Sequence, residues 1–127
     1  MSTFMPTPDV PSPELAAHLP ALRSRLEEQR EFRISQLVEL AAEELEFEER
    51  EPDLAPSPGE RASREMSALL ASAARRALAD IESALHRMST GRYGTCLYCG
   101  VPIELARLNA VPQTALCAPC QRGAHLP

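Results

Sequence analysis

Cys96-Leu97-Tyr98-Cys99 and Cys117-Ala118-Pro119-Cys120 are two C-x2-C pairs with 17 residues between them, and no other feature restricts the possible folds as tightly. Two residues between thiols let one tight turn present both sulfurs to a single ion, and a second such turn completes a tetrahedron. The gap between the pairs falls inside the window of four-cysteine zinc sites. A redox dithiol pair and an iron–thiolate centre are the other chemistries open to this pattern. The expected site is one structural zinc ion held by Cys96, Cys99, Cys117 and Cys120, because four thiolates leave no position for a catalytic water. Gly94 and Gly100 flank the first turn, where tight backbone geometry is useful, and Ile103, Leu105 and Leu108 can cover the site with apolar surface. His125 lies five residues after Cys120 and is expected to belong to a frayed tail rather than to add a fifth ligand. His86, near the end of a helix, is expected to be exposed and favourable to the helix dipole, without further function.

Ahead of the cysteines the periodicity is helical. Ile34, Leu37, Val38, Ala41 and Leu45 follow an i, i+3, i+4, i+7 pattern, with Leu19, Leu22 and Leu26 on a related face. Met66, Leu69, Leu70, Ala73, Ala77, Ile81, Ala84, Leu85 and Met88 keep the same period, and Gly91 follows as a stop. Between the two stripes, residues 51–60 contain three prolines and a glycine, which read as a reversal of direction. Ser57 is placed as the N-cap of the second helix, with Pro58 at its first position and Glu60 completing a capping box. The fold expected is mainly α: a long antiparallel helical hairpin, or coiled coil, joined to a small four-cysteine zinc-finger module. Ser12 before Pro13 suits a cap for a short turn, but Pro20 interrupts a continuous helix, so the first long helix is expected to start near Pro20. The domain boundaries that follow are a disordered Pro-rich leader at 1–19, the hairpin at 20–90 with its tip at about 51–62, and the zinc module with a short tail at 91–127. Each arm of about thirty residues would be roughly 45 Å long, which makes the hairpin a probe.

Charge is segregated along this chain. The total is −5, yet residues 1–42 carry −2, residues 43–60 carry −7 and residues 61–127 carry +4. A net negative chain is poorly suited to neutralising phosphates over a broad face, so sequence-specific nucleic-acid binding is not expected. Every basic residue other than histidine is Arg. No basic stretch followed by an apolar run opens the sequence and no segment approaches the roughly 18 apolar residues needed to cross a bilayer, so a cytoplasmic protein without a membrane partner is expected. In that reducing compartment, paired cysteines are better explained by a metal than by disulfides.

The run Gly91-Arg92-Tyr93-Gly94-Thr95-Cys96-Leu97-Tyr98-Cys99-Gly100-Val101-Pro102-Ile103, with Arg107-Leu108-Asn109-Ala110-Val111-Pro112 and Leu116-Cys117-Ala118-Pro119-Cys120-Gln121, resembles the DksA/TraR family of bacterial transcription regulators. The resemblance is specific in this stretch and architectural over the preceding hairpin. It implies a protein that binds RNA polymerase and inserts its coiled-coil tip through the secondary channel, altering initiation without binding promoter DNA itself. The family's tip carries Asp-x-x-Asp-x-Ala at the start of the second helix. Ser57, Glu60 and Ala62 hold those positions here: the alanine is kept, Glu60 keeps a carboxylate, and Ser57 does not. Glu48, Glu49, Glu51 and Asp53 leave the tip acidic, and Asp53 joins the tip residues expected near the polymerase active site. The alternative for these acids is a solvated helix end in which Ser57 and Glu60 only cap. Arg107 matches a basic residue the family uses to contact polymerase, with surface solvation as its alternative. Val111 and Gln121 stand where alarmone-responsive members carry basic residues, so the resemblance implies little or no synergy with ppGpp.

Two other functions fit the same residues: a zinc-ribbon adaptor whose hairpin dimerises or binds another protein, and a thiol-based redox sensor that releases zinc on oxidation. A wide apolar stripe left uncovered on one chain would favour the adaptor. Catalysis by the chain itself is not expected, because its carboxylates cluster on a tip without a pocket and no nucleophile, base and orienting group occur at suggestive spacing. A monomer is the expected state.

Overall fold

The computed structural model describes residues 12–49 and 55–123. Expectations for residues 1–11, for Glu51 and Asp53 at the tip and for His125 lie outside these described residues. Four helices follow in order: α1 (Pro13–Glu48), α2 (Pro58–Ser89), α3 (Leu105–Ala110) and α4 (Ala118–Gln121). No β-strand occurs among the described residues, only an isolated antiparallel bridge between Thr95 and Pro102. The chain divides into two units, one formed by residues 1–28 with 80–127 and the other by residues 29–79.

The helix ends follow from their capping residues. Ser57 Oγ accepts from the Glu60 N–H at 3.1 Å, and the Ser57 carbonyl accepts from the Arg61 N–H at 3.0 Å, so α2 begins where a serine followed by proline predicts. At its other end Gly91 adopts φ 75°. The Arg92 N–H donates to the Arg87 carbonyl at 2.8 Å and the Gly91 N–H to the Met88 carbonyl at 3.4 Å, the paired bonds of a Schellman stop.

α1 departs from expectation at its start. It begins at Pro13 rather than near Pro20, and Pro20 lies inside it. Ser12 is the cap of this long helix: its Oγ accepts from the Leu15 N–H at 3.2 Å and its carbonyl from the Ala16 N–H at 2.8 Å. A proline inside a helix costs about 3 kcal/mol. The exposed position of Ala16 and Pro20 leaves water to satisfy the carbonyl that Pro20 cannot serve. Leu15 and Leu19, which the added turns contain, pack against the core and offset that cost.

In the unit made of residues 1–28 and 80–127, the core joins the helix pair to the cysteines. Leu22 (1% exposed) and Leu26 (0%) meet Ile81 and Ala84, and the same cluster holds Tyr93, Cys96, Ile103, Leu108, Cys117 and Cys120. Burying one such leucine contributes about 1.5–3 kcal/mol, so this unit contains the chain's main apolar core. An Arg25 Nη1 hydrogen bond to the Asn109 carbonyl ties α1 to the end of α3.

The unit formed by residues 29–79 is an antiparallel helix pair. Phe47 and Glu44 share a groove with Arg64 and Ser67, while Leu37 shares it with Ala71 and Arg75. Ser67 Oγ donates to Glu43 Oε2 at 3.1 Å, and the Arg64 guanidinium lies 5.0 Å from the centre of the Phe47 ring. The groove encloses about 270 Å³. The seam follows the expected apolar stripes only in part, through Leu37 and Ala77. Val38, Leu45, Met66 and Leu69 are exposed, at 64, 57, 56 and 66%. Within 29–79 the half-buried positions on α1 are Gln29, Arg33, Gln36, Leu37, Leu40 and Phe47, and the covered ones on α2 are Glu60, Ser67, Ala71, Ser72, Ala74, Ala77 and Leu78.

The reason is the repeat length. Leu15, Leu19, Leu22 and Leu26 set an alternation of four and three residues, which continues through the polar Gln29, Arg33 and Gln36 and then Leu40 and Phe47. A seam that keeps a 3.5-residue repeat stays between two helices, whereas a 3.6-residue stripe drifts off it.

Candidate metal centre

The first cysteine pair sits on a turn closed at both ends. The Cys96 N–H donates to the Val101 carbonyl at 2.8 Å, the Gly100 N–H to the Cys96 carbonyl at 3.0 Å and the Ile103 N–H to the Gly94 carbonyl at 2.8 Å. Gly94 and Gly100 take φ 91° and 78°, the region that side chains resist and glycine accepts. A Cβ on Gly94 would also stand 2.6 Å from Leu15 Cδ2, so the first turn of α1 covers this knuckle. The second pair begins at Cys117, the N-cap of α4. Its carbonyl accepts from the Gln121 N–H at 2.9 Å, and Pro119 lies in the first turn. This short helix brings Cys120 beside Cys117.

The four sulfurs all lie within 4.8 Å of one another, and those of Cys99 and Cys117 are 3.7 Å apart. A tetrahedron with metal–sulfur bonds of about 2.3 Å has an edge of about 3.8 Å, so this spacing fits one ion between four free thiols. Cys96, Cys117 and Cys120 are buried, and Cys99 is exposed. Ile103 and Leu108 are buried in the cluster that contains the cysteines, whereas Leu105 is half-buried.

The thiol electrostatics ask for a cation. Burial pushes the Cys96 thiol up, but the backbone N–H groups of Cys99, Cys117 and Tyr98 outweigh it, and with the Cys99 side chain bring it down to about 6. The backbone N–H of Val101 favours the Cys99 thiolate, but burial and the neighbouring Cys96 and Cys117 thiols hold the group above its ordinary value. Burial, followed by Cys117, Cys99 and Cys96, raises Cys120 well above that value. The site therefore favours the thiolate at Cys96 and resists it at Cys99 and Cys120. A divalent ion removes that repulsion and displaces the remaining protons.

A cluster of four soft thiolates beneath apolar cover, without an open coordination position, defines a structural C4 zinc finger. Residues 91–124 match the family model of the prokaryotic dksA/traR C4-type zinc finger. The resemblance extends beyond the finger. The structure of transcription factor DksA2 from Pseudomonas aeruginosa superposes with a TM-score of 0.73 at 27% identity, covering 86% of this chain and 84% of that one. An uncharacterised protein of Aquifex aeolicus (strain VF5) is 38% identical over 56 residues. That match covers 39% of this chain and 39% of the relative's length. The chain thus has the fold of a DksA/TraR-type transcription factor, with four cysteines placed to bind one metal ion.

The remaining residues singled out in the sequence are not gathered at this centre. Ser57, Glu60 and Ala62 stand at the start of α2, in the other unit. Arg107 is half-buried, and its Nε donates to the Leu116 carbonyl at 2.9 Å. Val111 and Gln121 are both exposed. His86 is exposed in the last turn of α2. No described helix is long and apolar enough to cross a membrane.

Sequence reasoning missed two groups next to the cysteines. Tyr93 is buried, and its hydroxyl donates to the Pro112 carbonyl at 2.7 Å. Arg87 is 7% exposed, and its guanidinium donates to neutral oxygens of Ser83, Gln113 and Thr114. A basic residue in a helix's last turn is so common that it gave no signal, whereas a tyrosine between two glycines could have been read as an anchored turn.

Proposed function

We propose that this chain is a transcription regulator that binds bacterial RNA polymerase, entering the secondary channel with its helical hairpin and modulating initiation without specific DNA contact. The observation that carries this reading is the likeness to a transcription factor over most of both chains, hairpin and finger together. The chemistry of the hairpin supports it. The end of α1 carries Glu43, Glu44, Glu46 and Glu48 with no basic residue in its last turn, an arrangement unfavourable to the helix dipole and useful to a tip that approaches a metal-dependent active site. Ser57, Glu60, Ala62 and Asp53 are the residues assigned to that tip, and Arg107 is the candidate contact from the zinc module. Val111 and Gln121 offer no cation to a polyphosphate, so the regulator acts without ppGpp synergy. The chain works as a binding protein, and any effect on chemistry is exerted inside its partner's active site.

The test is titration of the labelled, zinc-loaded protein into core RNA polymerase. Saturable binding at micromolar concentration or below is expected; its absence overturns the reading. One observation favours a second function, that of a dimerising adaptor: Val38, Leu45, Met66 and Leu69 are exposed on the hairpin. Sedimentation equilibrium separates the two, since the regulator is expected to be a monomer and the adaptor a dimer.

A further inference from the structure

The segment from Gln113 to Leu116, which delivers Cys117 to the metal centre, has no regular secondary structure. Buried carbonyls outside helices and sheets must find donors elsewhere. Here all four consecutive carbonyls do. Arg87 Nη2 donates to Gln113 O at 3.5 Å and to Thr114 O at 3.3 Å. The Leu97 N–H, from the first knuckle, donates to Ala115 O at 2.9 Å. Leu116 O accepts from Arg107 Nε at 2.9 Å and from Thr114 Oγ1 at 3.1 Å.

We propose that Arg87 and Arg107 are positioning residues of the metal centre: two guanidinium groups from different helices fix the segment 113–116 and so set where Cys117 presents its sulfur. Three features carry the assignment. Arg87 is buried, with its Nη1 on Ser83 Oγ at 2.8 Å and its Nη2 on the two carbonyls. Burial of a guanidinium against neutral acceptors is costly, and desolvation accordingly lowers its affinity for a proton against the opposing pull of Tyr93 and Asp80.

Second, the backbone at Arg87 is anchored to the approach to the first knuckle whatever its side chain, because its carbonyl accepts the N–H groups of Arg92 at 2.8 Å and Tyr93 at 3.2 Å. One residue at the end of α2 thus grips both segments that lead into cysteines. Third, the acceptors engage two different nitrogens, Ser83 on Nη1 and the two carbonyls on Nη2, which suits the rigid fork of a guanidinium and not the single point of an ammonium. Groups that orient metal ligands in this way typically govern affinity by 10–100-fold.

The proposal concerns the centre alone and stands or falls independently of polymerase binding. Its test uses the full chain as wild type, Arg87→Met, Arg87→Lys, Arg107→Met and Arg107→Lys. The readouts are competitive zinc affinity, the rate of zinc transfer to excess chelator, the ligand-field spectrum of the cobalt-substituted protein and far-ultraviolet circular dichroism. The methionine variants are expected to keep their helical signal and one metal per chain. Their affinity should fall about tenfold or more, with faster transfer and a shifted cobalt spectrum. The lysine variants should recover only part of the loss. Wild-type affinity and cobalt spectra in both methionine variants overturn the proposal. If Arg87→Met does not fold, the half-buried Arg107 decides: a wild-type centre in Arg107→Met refutes the pairing, and a weakened, spectrally altered one sustains it.

Discussion

Removing one oxygen from Tyr93 tests how the two knuckles are held together. Tyr93 lies just before the first knuckle, and its hydroxyl donates to Pro112 O at 2.7 Å on the segment leading to the second. Tyr93→Phe keeps the ring and opens no sizeable cavity, so its cost is the carbonyl left without a donor, about 1–3 kcal/mol. The phenol's ionisation adds a separate, pH-dependent contribution. Burial, working against Arg87 and Arg25, raises its pKa from 10.0 to about 12. The neutral form is the one the fold prefers. Its stabilisation is therefore fully present below the unfolded value near 10 and disappears as pH rises through 12.

A rise of that size corresponds to at most about 2.7 kcal/mol, and solvent screening lowers that toward about 2 kcal/mol. The first contribution is the hydrogen bond that the variant loses; the second, set by desolvation of the phenolate, offsets it only where the phenol ionises. Urea unfolding of the zinc-loaded wild type and variant, at neutral pH and from about pH 9 to 12, reads both. The variant should be less stable by about 2 kcal/mol at neutral pH, and the difference should shrink toward zero across the alkaline range. A variant equal to wild type at neutral pH, or a difference that does not change with pH, refutes the reasoning.

Three further outcomes follow from the same structure. Cys99→Ser removes one of four sulfurs within 4.8 Å, and because zinc binding and folding of such a module are coupled, zinc stoichiometry and the module's melting transition should both be lost while much of the helical signal remains. Because Cys99 and Cys120 are held above the ordinary thiol range, zinc must displace protons, so zinc affinity should fall as pH is lowered and calorimetry in buffers of different ionisation heat should detect proton release. Leu26→Ala should cost about 2–5 kcal/mol, whereas Val38→Gln, at a position 64% exposed, should stay within about 0.5 kcal/mol; equal costs would contradict the seam described above.

How far the sequence reached differs between parts of the molecule. The two C-x2-C pairs determined the centre's composition, because sulfur chemistry and spacing leave few solutions. The α2 boundaries were equally open to reading, since Ser57, Pro58 and Gly91 each have a local physical role. The α1 start was not: Pro20 argued locally for a break, and only the packing of Leu15 and Leu19 on the distant knuckle explains why the helix continues through it. The seam between residues 29 and 79 was hidden for a related reason. Its covered positions include Gln29, Arg33, Gln36 and Ser67, so apolar periodicity pointed to Ile34, Val38 and Leu45 instead. Arg87 shows the same limit from the other side, since its importance lies in carbonyls 26 and 27 residues away in sequence.

The seam between residues 29 and 79 covers its apolar groups only partly. Among the described residues of 29–79 only Ala74 is fully covered, so this unit has little apolar burial to resist local opening. The stable core lies instead with the cysteines. Under the proposed function the partner's walls would supply contacts that the hairpin lacks, whereas under the adaptor reading Val38, Leu45, Met66 and Leu69, exposed on it, would be covered by a second copy.

The most direct test of the regulator reading is displacement. Core RNA polymerase carrying a fluorescent ligand in its secondary channel is titrated with the zinc-loaded chain, and release of the ligand is followed to saturation. Competitive displacement, lost when zinc is removed, is the predicted result. Binding that leaves the ligand in place would contradict entry by the secondary channel, and no binding at all would contradict the polymerase as partner.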